Sequence, residues 1–139
     1  MRTYSLSHLS DGALARELRP LVGQDCATTA ALLAYLAEVD ARQLYRAAAC
    51  PSMDVYCVQK LHFSEDEAAE ILQAARCARR FPALFAAVAE GRLHLSGVGL
   101  LAPHLLPDNA GELLAAATHK TSAEIEQLLA ERFPRPELP

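Results

Sequence analysis

Tryptophan is missing from the 139 residues, and aromatic side chains make up only 6% of them. The apolar content falls instead to alanine and leucine, strong helix formers whose small or straight side chains let helices approach closely. The four cysteines, Cys26, Cys50, Cys57 and Cys77, form no CxxC pair, and no histidine stands at metal-ligand spacing from them or from another histidine. They read as small, buried, reduced thiols, and the sequence gives no ground to expect a metal or cofactor. No apolar run approaches the ~18 residues of a membrane span, and the N-terminus lacks a signal-peptide core. No membrane partner is expected, and the cytoplasm is the expected compartment.

Positive charge is also short: 13 Lys and Arg stand against 17 Asp and Glu, a net charge of −4. DNA binders ordinarily carry a basic surface, because phosphate neutralisation supplies much of their affinity. The balance therefore favours a basic protein partner over nucleic acid, although a local basic patch would override it. No Ser/His/Asp or Cys/His arrangement is readable along the chain, and no catalytic activity is expected.

What remains is a chain with a hydrophobic share of 52%, enough to bury a core. The expected fold is all-α: a compact bundle of about six to eight helices over residues 1–133, followed by a proline-rich tail or linker at 134–139. The stretch from Ser52 to Arg80 organises it. Two helices with a very short connector are expected there, a helix–turn–helix-like pair. Ser64 and Glu67 have the spacing of a capping box. Behind them Ala68, Ile71, Leu72, Ala75 and Ala78 give one narrow apolar stripe.

Before that pair, a first helix capped by Ser10 or Asp11 carries Leu14 and Leu18, and a break is expected near Arg19-Pro20. A long helix follows from about Leu21 to Ala48, ended by Pro51. After the pair, Pro82 opens a helix that stops at Gly91, and Ser96 caps a brief turn to Pro103. Asn109 and its neighbours open a helix to about Thr118, and Thr121 with Glu124 forms a second capping box ahead of Ile125 and Leu129.

Several segments together resemble a known family. They include Ala27 to Ala34, Ala37 to Arg42, Pro51-Ser52-Met53, Arg79 to Phe85, Leu100 to Leu105 and Glu131 to Pro136. The chain resembles the helical region that precedes the HNH nuclease domain in a family of myxobacterial HNH endonucleases. In that family a linker and then the His-Asn-His metal site follow; this sequence carries no HNH motif, and nuclease activity is not carried over. The resemblance also implies an aromatic, two basic residues and an isoleucine where this chain has Ala69, Glu70, Ile71 and Leu72. A glutamate facing phosphate repels it, which weakens the DNA reading.

Two sets of site residues follow. Glu65, Asp66, Glu67, Glu70 and Ile71 form an acidic and apolar surface for a protein partner, with a cognate nuclease the expected one. Plain capping and helix-dipole chemistry is the competing account of the first three carboxylates. Lys60, Arg76, Arg79 and Arg80 form the alternative nucleic-acid set, against the simpler account that the arginines complement a helix C-terminus. The functional expectation is a non-catalytic binder or regulator of a nuclease, immunity- or antitoxin-like. The alternative is a DNA-binding module or the N-terminal targeting domain of an HNH endonuclease.

Overall fold

The structure, a computed structural model, describes residues 4–134. Among them are seven α-helices and no strand, an all-α bundle of the expected size. They are α1 (Asp11–Arg42), α2 (Met53–Gln59), α3 (Glu65–Arg80), α4 (Ala83–Ala89), α5 (Leu95–Leu101), α6 (Ala110–Ala117) and α7 (Ser122–Arg132). Of the proline-rich tail expected at 134–139, all but Pro134 lies outside the described residues.

α1 runs unbroken for 32 residues with Pro20 inside it, so the expected break at Arg19-Pro20 does not occur. Proline removes one hydrogen bond and crowds the carbonyl four residues back. Here that carbonyl belongs to Arg16, and Arg16 and Pro20 are both exposed, so the acceptor left without its helical donor sits on a solvent-facing stretch and not in the core. The helix also ends earlier than Pro51 would dictate: Gln43 takes a left-handed conformation (φ 55°) and its N–H reaches back to the carbonyls of Asp40 and Val39.

The helix pair is present as α2, a connector at 60–64 and α3. Both capping boxes form. Ser64 Oγ accepts from the Glu67 N–H at 3.1 Å while Glu67 accepts from the Ser64 N–H at 3.2 Å. Thr121 and Glu124 exchange the same two bonds at 3.2 and 2.9 Å.

α3 is the centre of the bundle, packed against α1, α2, α4 and α5. Its buried residues are Ala68, Ile71, Leu72, Ala74, Ala75, Cys77 and Ala78, a broad arc and not the narrow stripe expected from spacing. Helices on more than one side account for the difference, since each needs its own apolar strip on α3. Alanine supplies four of the seven positions and lets those neighbours come close. The core continues through Leu33 and Leu36 of α1, Leu84 and Val88 of α4, Val98 and Leu101 of α5, Leu113 of α6 and Ile125 of α7. Cys50, Cys57 and Cys77 are buried, Cys26 is half-buried, and all four thiols are free. Burial pushes the Cys57 and Cys77 thiols above their ordinary pKa, so both stay protonated and inert. Among the described residues no helix is long and apolar enough to cross a membrane.

Candidate functional site

The two ends of α3 carry opposite charge, as the sequence orders them: Glu65, Asp66, Glu67 and Glu70 lead, and Arg76, Arg79 and Arg80 trail. About 22 Å of helix separates the first from the last, at 1.5 Å per residue. Lys60 ends α2, within five residues of the acidic end. The four cations of the nucleic-acid set therefore do not share a patch.

The basic end is engaged within the fold. Arg76 reaches across to α1 and grips Asp40 with two bonds, Nε to Oδ2 at 2.9 Å and Nη2 to Oδ1 at 3.3 Å. This pairing raises the Arg76 pKa further, so its charge is permanent. Arg79 donates to Glu38 at 3.3 Å, and Glu38 also takes a 2.8 Å bond from Arg42 one helical turn on. The Arg42 and Arg79 guanidiniums hold the Glu38 carboxyl below the usual glutamate range. The Arg80 guanidinium lies over the Phe81 ring, 5.2 Å from its centroid. Each arginine thus has a partner within the chain. Arg79 and Arg80 also lie in the last turn of α3, where cations complement the negative end of the helix dipole.

The acidic end is more open. Glu67 is committed to its cap, and Glu70 accepts from Ser96 Oγ at the start of α5 at 3.3 Å. Glu65 and Asp66 are exposed, with no ion-pair partner among the described residues. Glu65 also lines a groove of about 360 Å³ between α2 and α3, together with Asp54, Val55, Val58, Gln59 and Ala68. Val55 and Val58 are half-buried and Ala68 is buried, so the floor is apolar and two carboxylates stand on its walls.

Ile71 does not belong to this surface. It is 6% exposed and packs in the core, because it falls on the α3 arc that meets the neighbouring helices. Its place in the protein-binding set is corrected accordingly. Of Ala69, Glu70, Ile71 and Leu72, only Ala69 and Glu70 face solvent, so Glu70 is the one charge these four positions place on the surface.

Asp54 is the residue that sequence reasoning missed. It sits in the first turn of α2 behind the cap Ser52, whose Oγ accepts from the Val55 N–H at 3.2 Å. The Ser-Met-Asp order was a visible signal, since carboxylates favour a first helical turn. Its position opposite Glu65 depends on how α2 packs on α3, which no local pattern encodes. The cap of α5 also differs from the expected Ser96: His94 stands there. Its Nδ1 accepts from the Gly97 N–H at 3.0 Å.

Among the described residues no group of three or more His, Cys, Asp or Glu side chains is placed to hold a metal. No family model matches the chain, and no curated protein or solved structure matches it.

Proposed function

We propose that this chain is a non-catalytic, cytoplasmic protein-binding module that docks on a basic surface of a nuclease, in the manner of an immunity or antitoxin-like factor. The observation that carries the reading is the charge asymmetry of α3. Its arginines are spent on Asp40, Glu38 and Phe81, whereas Glu65 and Asp54 overlook an open apolar groove.

A lysine or arginine from a partner fits that groove chemically. Its methylene stem lies on Val55, Val58 and Ala68 while its head reaches the two carboxylates. Asp66 and Glu70 extend the negative field along the exposed side of α3. A nuclease offers a complementary surface, because any cleft that binds DNA must neutralise phosphate with basic side chains. The nuclease assignment comes from the family resemblance, and the cytoplasmic one fits four free thiols.

The DNA alternative requires Lys60, Arg76, Arg79 and Arg80 to act together. The pairing of Arg76 and Arg79 and the distance to Lys60 count against it. Incubating the purified chain with the nuclease encoded nearest to it, and following plasmid cleavage, tests the proposal. Inhibition that disappears in a Glu65→Lys, Asp66→Lys double variant is expected. Undiminished cleavage with the native chain in excess, or inhibition that survives both reversals, overturns it.

A further inference from the structure

A cavity of about 620 Å³ opens where the middle of α1 meets two loops, the turn from α4 to α5 and the connector from α6 to α7. Gly91 (φ 73°) and His119 (φ 58°) bend these loops through left-handed backbone. The His119 N–H donates to the Arg92 carbonyl at 2.9 Å, which holds the two loops together. The floor is apolar: Val88 and Leu93 are 3 and 4% exposed. A volume in this range, with an apolar floor and a few polar groups around it, is the usual form of a small-molecule site.

Nitrogen donors dominate the rim. Arg92, His94, His119 and Lys120 stand around it, and Asp25 on the α1 wall is the one carboxylate of the lining. Arg92 is half-buried, and among the described residues only its Nη2 is engaged, by Glu90 at 2.9 Å. Lys120 has no ion-pair partner among the described residues. His94 uses Nδ1 to accept from the Gly97 N–H, so its neutral ring carries the proton on Nε2, and that nitrogen donates. Ser122 adds a hydroxyl in the first turn of α7, the end of a helix that attracts anions.

We propose that this cavity binds a nucleoside monophosphate, its phosphate held by Arg92 and Lys120. A carboxylate ligand has two oxygens, too few for donors arriving from Arg92, His119, Lys120 and Ser122. A phosphate monoester has three terminal oxygens and a charge that matches two cations. The phosphate fills only a fraction of the cavity, so the ligand carries an organic body. Ionised Asp25 only accepts hydrogen bonds, which suits sugar hydroxyls, as acids serve ribose in dinucleotide sites. Val88 and Leu93 give the base an apolar bed. The cavity shares no residue with the groove between α2 and α3, so each proposal stands or falls separately.

Titrating the isotope-labelled full chain with adenosine monophosphate, and following its amide resonances, tests it. Shifts should cluster on the two loops and the first turn of α7, and inorganic phosphate should reverse them. Adenosine, which lacks the phosphate, should bind about 10-fold more weakly or worse. Lys120→Ala, at an exposed position, should weaken the nucleotide by about 10-fold, and Arg92→Gln by as much. Arg46→Gln, exposed and outside the cavity, should change nothing. Silence at millimolar nucleotide, shifts centred elsewhere, or binding that Lys120→Ala and Arg92→Gln both leave intact overturns the proposal. Adenosine that binds as tightly as its monophosphate overturns the phosphate assignment. Phosphoserine that binds as tightly as the nucleotide overturns the nucleoside one.

Discussion

Arg76 on α3 and Asp40 on α1 are 36 residues apart in sequence and joined by a two-pronged ion pair, with Nε to Oδ2 at 2.9 Å and Nη2 to Oδ1 at 3.3 Å. The pair ties the C-terminal end of the central helix to the C-terminal half of the longest one. It also occupies a cation that a DNA-binding surface would need.

Neutralising its acids therefore has two consequences. Asp40→Asn should destabilise the fold by about 1 kcal/mol or less, since half of the Arg76 side chain is open to solvent screening. The Asp40→Asn, Glu38→Gln double variant frees Arg76 and Arg79 together and should acquire weak, salt-sensitive affinity for duplex DNA. Urea denaturation checks the first outcome, and fluorescence anisotropy with a labelled duplex at two salt concentrations checks the second.

Acid should loosen the fold through Glu38 and Glu124. Arg42 and Arg79 hold the Glu38 carboxyl below the usual glutamate value; the Thr121 backbone N–H and then its hydroxyl do so for Glu124. A carboxylate whose pKa is depressed by folding stabilises fully above the unfolded value, about 4.3. That contribution is lost as pH falls through the lower folded value. Thermal midpoints followed from neutral to strongly acidic pH should drop less steeply for Glu38→Gln and for Glu124→Gln than for the native chain.

The capping boxes set the structural role of the cap apart from that of the exposed acids beside it. Ser64→Ala and Thr121→Ala should each cost about 1 kcal/mol, because each leaves a first-turn N–H without its acceptor. Reversing Glu65 or Asp66 removes no hydrogen bond seen in the fold, and the loss of a favourable dipole contact should stay within about 1 kcal/mol. Chemical denaturation of the four variants distinguishes the capping hydroxyls from the exposed acids.

Ile71→Ala and Leu72→Ala should each cost about 2–5 kcal/mol, as large-to-small changes in a packed core do. Ile71 is the informative one: if it belonged to a docking surface, its truncation would leave the denaturation midpoint almost unmoved.

Local chemistry explains why some features could be read in the sequence. Ser64 with Glu67 and Thr121 with Glu124 need only a three-residue spacing, and both boxes form. The all-helical class likewise follows from alanine and leucine content. Pro20 misled because the penalty for proline inside a helix is a local rule, whereas its relief depends on where the fold leaves that stretch, and here Arg16 and Pro20 are both exposed. Ile71 misled because a single helix cannot reveal how many neighbours will surround it. The Asp54–Glu65 groove was hidden for the same reason, being a product of packing between two helices.

Titration calorimetry between the purified chain and the nearest-encoded nuclease, with native and Glu65→Lys, Asp66→Lys chains compared at two salt concentrations, bears most directly on the role assigned to α3. Salt-sensitive binding by the native chain that vanishes on charge reversal, while the helical spectrum is unchanged, is the expected result. Binding that is indifferent to the reversal, or a native chain that ignores the nuclease and shifts duplex DNA at low salt, would contradict it.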